Sequence, residues 1–193
     1  MKAHADQALP TKALRPGTTT PELRREEILR VDHAGELGAV RIYQGQLAVF
    51  RDRASTRRTA AIVEQMAQAE ARHKASFDRM LAEHKTRPTA FHPLWSAAGY
   101  ALGVATALLG EKAAMAATLA VEEVIDRHYE EQIAELKASD SELAAQLEVF
   151  RDEEIEHKEQ ALAEGAKSAP GYPLLSAVIK AGCRLAIRVA EKL

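Results

Sequence analysis

The chain has 193 residues, 47% of them hydrophobic, and a formal net charge of −2 with both signs interspersed along most of its length. That length supports one domain with a substantial core, and the charge pattern argues against a broad nucleic-acid surface and any nucleic-acid partner. The single cysteine, Cys183, excludes an internal disulfide and a thiolate metal site, and with them zinc ribbons and iron–sulfur clusters.

Residues 1–20 contain Pro10, Pro16, Gly17 and a threonine run with little apolar periodicity, which predicts a flexible tail ahead of one domain over 21–193. They lack the apolar run of a secretory signal, and Asp6 does not suit an acid-poor transit peptide, so the expected setting is the cytoplasm of a bacterium. Thr20, Pro21 and Glu22 read as a helix cap, a proline at the first helical position and an acid in the first turn. The helix they open is expected to reach about Phe50, with an inward stripe of Leu29, His33, Glu36, Val40, Tyr43, Leu47 and Phe50. Ser55 or Thr56 is the expected cap of a second helix, striped by Ile62, Met66, Glu70, His73, Phe77 and Leu81. Pro88 and Pro93 are read as its end.

Thr89 to Gly110 holds no Asp, Glu, Lys or Arg, and Leu94 to Gly110 is rich in Ala, Leu and Gly. Its length approaches the roughly 20 residues of a membrane span. It also joins the second helix to the third, a connection that must run along the outside of a bundle, so an interfacial or bundle-packing segment is expected. The third helix carries Met115, Leu119, Glu122, Asp126, Tyr129, Ile133 and Leu136 on its inward face. Ser139 to Glu142 reads as a capping box for a fourth, with Leu143, Leu147, Phe150, Glu154, His157 and Ala161 inward and Gly165 as its stop. Beyond Pro173, Lys180, Arg184, Arg188 and Lys192 recur every fourth residue beside an apolar face. This is the pattern of a basic amphipathic helix suited to an anionic membrane surface.

The chemistry lies in a repeat. Glu36 with Glu70-Ala-Arg-His73 is echoed by Glu122 with Glu154-Ile-Glu-His157, at nearly the same separations. Residues three apart share a helix face, so each Glu-x-x-His aims a carboxylate and an imidazole at one point. One such pair is common on surfaces; two, each preceded by an inward glutamate, make the ligand set of a carboxylate-bridged di-iron or di-manganese site in a four-helix bundle. Four buried carboxylates also make physical sense chiefly with a cation to compensate them. Glu123, Glu153 and Glu156 fall off the stripes and read as solvated acids. For His33 direct ligation, a place beside the ligands and a core role are all open, and Asp32 and Asp126 are read as hydrogen-bond partners for ligating imidazoles.

Several stretches resemble the demethoxyubiquinone hydroxylases of ubiquinone biosynthesis: Arg30-Val-Asp-His-Ala-Gly-Glu36, Ala39-Val-Arg-Ile-Tyr-Gln-Gly45, Pro93-Leu-Trp95, Gly103 to Gly110, Val121-Glu-Glu123, Arg151 to His157 and Ala181-Gly-Cys-Arg184. The resemblance covers nearly everything after the tail. It implies an all-α, ferritin-like four-helix bundle with a long hydrophobic crossover and an extra C-terminal amphipathic helix. It implies metal ligands at Glu36, Glu70, His73, Glu122, Glu154 and His157, the set that spacing selects. The implied activity is a monooxygenase in which two Fe ions use O₂ to hydroxylate the ring of a polyprenylated methoxy-methyl-benzoquinol, with NADH as reductant.

A bilayer-embedded substrate would give the segments near 89–110 and 173–193 a shared role in membrane association. The implied location is peripheral, on the cytoplasmic face of the bacterial inner membrane, with a homo-oligomer or other ubiquinone-biosynthesis proteins as further partners. His128 and Tyr129 match a His-Tyr pair of the family, and Tyr129 is read either as a catalytic relay or as a core tyrosine bonded to a carboxylate. Two competing readings are a ferritin-like ferroxidase, which shares the ligand inventory, and a metal-free membrane-surface scaffold.

Overall fold

The computed structural model describes residues 20–191, so the tail expected over residues 1–20 lies outside it except for Thr20, as does Lys192. Six helices follow in order: α1 Pro21–Phe50, α2 Arg57–Glu83, α3 His92–Leu108, α4 Glu111–Leu136, α5 Ser141–Ala163 and α6 Tyr172–Ala190. There is no strand among the described residues. Helices α1, α2, α4 and α5 form the bundle, α3 is the crossover on its outside, and α6 packs chiefly on α4. This is the all-α, ferritin-like arrangement that the sequence predicts.

Helix α1 opens as expected: the Thr20 hydroxyl accepts from the Leu23 amide at 3.2 Å and Pro21 follows. Other ends differ from the reading of the sequence. Thr56 caps nothing; its hydroxyl donates to the Phe50 carbonyl at 2.8 Å, tying the start of α2 to the end of α1. Helix α2 stops well before Pro88, because Lys85 takes a left-handed conformation (φ 54°) and lets the Thr86 amide reach back to the Leu81 carbonyl at 2.9 Å. Pro93 terminates nothing either. It sits in the first turn of α3, where its missing N–H costs no helical bond. In α5 the cap is Asp140, accepting from the Leu143 amide at 3.2 Å, rather than a box begun by Ser139. Gly165, at φ 84°, ends α5 as predicted.

The crossover lies against α1 at backbone distance. A Cβ on Gly103 would stand 2.0 Å from the Ile42 carbonyl oxygen, and one on Gly45 would stand 2.3 Å from that of Tyr100. Only glycine permits that approach. Glycine-mediated contact also leaves the opposite face of α3 outward. Leu94, Ala97, Ala101, Ala105 and Leu108 are all exposed at helical spacing, and Leu108 and Leu109 reach 63% and 69%. On α6, Leu174, Ala177, Val178, Ala181 and Leu185 form a second exposed apolar stripe, with Leu174 at 72%. No helix among the described residues is long and apolar enough to cross a membrane.

Inside the bundle, two apolar clusters are separated along the helix axes. One joins Leu29, Phe77, Tyr129, Leu136, Leu147 and Phe150; the other joins Tyr43, Leu47, Met66, Met115, Leu119 and Ala161. On every bundle helix the acids of the repeat fall in sequence between these clusters. The polar layer is therefore sealed above and below by close-packed side chains.

Candidate metal centre

The structure brings all six repeat residues together, each buried. Two groups have ligand atoms mutually within 4.8 Å: Glu36, Glu70, His73 and Glu154, and then Glu70, Glu122, Glu154 and His157. Glu70 and Glu154 belong to both groups, the arrangement required of carboxylates that bridge two ions. The imidazoles face inward through Nδ1. His73 Nδ1 lies 3.2 Å from Glu154 and 3.6 Å from Glu36, and His157 Nδ1 lies 3.0 Å from Glu70 and 3.2 Å from Glu154.

The electrostatics are those of charges crowded into a dry interior. Burial, reinforced by neighbouring acids, pushes the Glu70 and Glu122 carboxyls well above their ordinary range. Burial also raises Glu36, although His73 partly offsets it. For Glu154 burial acts in the same direction, but hydrogen bonds from His157 and His73 prevail and hold it at about 2. Burial disfavours charge on His73, yet Glu154 and Glu36 raise it to about 10. Glu36 Oε2 and Glu70 Oε1 are buried without a hydrogen-bond partner, and the donors are carboxylate oxygens and imidazole nitrogens with no thiolate. These residues fit a pair of iron or manganese ions.

Two tyrosines hold the outer glutamates. Tyr129 of α4 donates to Glu36 of α1 at 2.5 Å, and Tyr43 of α1 donates to Glu122 of α4 at 2.9 Å. Each tyrosine follows a repeat glutamate by two helical turns, and each bonds the glutamate of the other helix. The Glu-x₆-Tyr spacing was visible in the sequence, yet the role of Tyr43 was missed. Burial raises the pKa of both phenols well above the usual value, so they are donors at neutral pH.

The neighbours require four corrections. Glu153 is partly exposed but does more than meet solvent: its Oε2 lies 3.0 Å from His73 Nε2, fixing the ring so that Nδ1 points into the cluster, and Arg72 flanks it at 3.3 Å. Asp126 touches no imidazole; it binds Arg151 at 2.7 Å and Lys158 at 2.6 Å between α4 and α5. Asp32 pairs with His128 at 3.3 Å and accepts from Gln132 at 2.9 Å, away from the candidate ligands, while His33 binds Asp78 at 2.8 Å. Glu123 forms an ion pair with Lys180. That pair removes one cation from the basic edge of α6, so Arg184 and Arg188 are its exposed members among the described residues. Glu156 is exposed as expected.

Beside the cluster lies a cavity of about 350 Å³ between α1, α3, α4 and α6. Its walls are mostly apolar, including Ile42, Leu102, Val121, Ile179 and Ile187, and its acidic, imidazole and phenol groups are Asp32, Glu36, His128 and Tyr129. Glu36 and Tyr129 thus belong both to the candidate metal centre and to the cavity wall.

The model of the family described as ubiquinone biosynthesis protein COQ7 matches residues 24–190. The chain belongs to that family. A relative named 3-demethoxyubiquinol 3-hydroxylase, from Rhodospirillum rubrum, is 49% identical over 177 residues, covering 92% of this chain and 82% of that protein. The human protein named NADPH-dependent 3-demethoxyubiquinone 3-hydroxylase, mitochondrial, is 45% identical over 172 residues, 87% of this chain and 77% of its own length. The Saccharomyces cerevisiae protein named 5-demethoxyubiquinone hydroxylase, mitochondrial, is 34% identical over 183 residues, 87% of this chain and 78% of its own. COQ7 membership agrees with the resemblance drawn from the motifs, and these names do not favour the ferroxidase reading.

Proposed function

We propose that this protein is a demethoxyubiquinol hydroxylase that adds oxygen from O₂ to the ring of a polyprenylated methoxy-methyl-benzoquinol. The observation that carries this reading is the junction of the two sites: a buried carboxylate and histidine cluster shares Glu36 and Tyr129 with an apolar cavity. Glu36, Glu70, His73, Glu122, Glu154 and His157 would hold the iron ions, with Glu70 and Glu154 common to both ligand groups. Iron held there would supply the electrons and Lewis acidity needed for O₂ chemistry.

The chain's own groups prepare that chemistry. Tyr43 and Tyr129 fix Glu122 and Glu36, Glu153 fixes the His73 ring, and the apolar clusters keep bulk water from the carboxylates. Tyr129, on the cavity wall, is the group positioned to pass a proton between the bound ring and Glu36. The substrate's isoprenoid tail belongs in a bilayer, and the cavity lies between the two helices with exposed apolar stripes. We place α3 and α6 on the membrane surface, with Arg184 and Arg188 toward anionic headgroups and the ring admitted between the helices. This gives a peripheral membrane protein. The names of the human and other relatives specify NADPH where the family resemblance implies NADH, and a nicotinamide is the reductant we assign.

Purified protein loaded with ferrous iron, given a reduced demethoxyubiquinol and isotopically labelled O₂, is expected to bind two irons per chain and to yield product carrying one labelled oxygen. Iron oxidation with a growing mineral core and unchanged quinol would refute this reading.

A further inference from the structure

Glycine serves two purposes where α1 meets the crossover. At Gly45, Gly99 and Gly103 the reason is crowding, and a Cβ on Gly99 would stand 2.7 Å from the Gly38 carbonyl oxygen. Gly35 and Gly38, also within α1, have no such reason. A Cβ on Gly38 would meet nothing within 4 Å beyond the backbone of its own helix, and one on Gly35 would meet only Ile125 Cδ1 of α4 at 3.9 Å, an ordinary van der Waals distance. Neither residue takes a left-handed conformation. A helix interior disfavours glycine more than any residue except proline, so these two weaken α1 with no gain in packing. What they share is the cavity. Val31, Gly35, Gly38 and Ile42 step by four, three and four along one face of α1, and all four line it. The glycines leave a bare stretch of backbone between two branched side chains, next to Glu36, with Ile125 beyond it.

We propose that Gly35 and Gly38 determine ring specificity: their bare backbone is the floor on which the ring lies beside Glu36, and the room left by two absent side chains admits its methoxy and methyl groups. The inference rests on the quinol-hydroxylase reading above. A flat ring without substituents needs only a narrow slot, whereas groups on its edge need width. A methyl placed on the floor therefore acts against the substituted ring first, because apolar pockets discriminate by the space they leave. The selection concerns the edge of the ring and not its oxidation state, so hydroquinol and quinone fit alike.

The test uses protein loaded with redox-inert zinc in the absence of O₂, so that the rings are not converted. Equilibrium dialysis measures the affinity of two short-tailed hydroquinols, one carrying the methoxy and methyl groups and one carrying neither. In the double variant Gly35→Ala/Gly38→Ala the substituted ring is expected to bind about tenfold or more weakly than in the wild type, while the bare ring changes by less than about threefold. The zinc content should be that of the wild type, and Tm should stay the same or rise by a few degrees, since alanine is the better helix former. The ratio of the two affinities is the readout, because a variant that merely disturbs α1 weakens both rings together. Equal losses for both rings, or no loss for either, overturn the proposal and leave the quinol reading standing. A double variant that loses zinc or melts markedly earlier overturns it too, because the space at the two glycines would then not be free. Binding of neither ring by the wild type overturns the cavity assignment itself, and this proposal with it.

Discussion

At the level of Glu70 the bundle buries four carboxylates among apolar side chains, whereas on α3 and α6 it leaves leucines and a valine in solvent. Each region inverts the usual distribution of polarity, and each departure is costly unless something outside the chain completes it. The interior layer calls for cations, and the outer layer calls for an apolar phase. The cavity lies between them, and a ligand with a polar ring and a lipid tail, as proposed above, would answer to both. The two regions are also held differently. The interior depends on side chains meeting from four helices, while the crossover depends on backbone contact at Gly45, Gly99 and Gly103.

The largest effect should come from the interior. Glu70→Gln or His157→Ala is expected to abolish hydroxylation and reduce bound iron well below two per chain, measured by product analysis and metal quantification. Glu70→Gln should nevertheless leave the metal-free protein as stable as the wild type or more so by about 1 kcal/mol, since it removes a buried acid whose charge is disfavoured. A melt showing strong destabilisation of the metal-free variant would contradict this view of the layer. Metal binding itself should stabilise the fold, by about 2.7 kcal/mol at a free concentration a hundred times the dissociation constant. Because burial raises the Glu70 and Glu122 carboxyls, the ions must displace protons from them. Affinity should therefore rise with pH from the acidic range to neutrality, and an affinity that fell instead would show the sign to be wrong.

The attachment of the outer layer can be broken next. Gly103→Ala forces a Cβ against the Ile42 carbonyl and should cost about 1–3 kcal/mol, read from denaturant unfolding. The same change at the uncrowded Gly38 should cost nothing comparable. A finer comparison sets the tyrosines against each other. Tyr129→Phe and Tyr43→Phe each remove one hydrogen bond to a buried glutamate, but only Tyr129 lines the cavity. Tyr129→Phe should thus lower turnover several-fold more than Tyr43→Phe while iron content stays similar in both; equal losses would reduce Tyr129 to a positioning role. The effect on fold and chemistry is smallest at the cationic edge. Reversing Arg184 and Arg188 should weaken binding to anionic liposomes by at least about 1 kcal/mol per position with little change in stability. Unchanged co-sedimentation would remove electrostatics from the account of membrane attachment.

The repeat was legible because a buried glutamate on an apolar stripe is conspicuous, and helical spacing alone places Glu36, Glu70, Glu122 and Glu154 inward. The crossover was legible from its lack of charge. What escaped were relations between helices. Glu153 is off the inward stripe of α5, yet it reaches the far nitrogen of His73 on α2. Lys180 belongs to a basic edge in sequence, yet it is engaged by Glu123 of α4. Asp126 sits on the stripe of α4 but is drawn off by Arg151 and Lys158. The prolines misled for a local reason: Pro93 opens a helix as readily as it ends one, and the left-handed turn at Lys85 carries no glycine to announce it.

Anomalous diffraction from crystals of the iron-loaded protein would locate the ions themselves. Two iron peaks about 3.5–4 Å apart are expected, with Glu70 and Glu154 between them and the Glu36 side facing the cavity. A single peak, or iron held away from Glu70 and Glu154, would contradict that expectation.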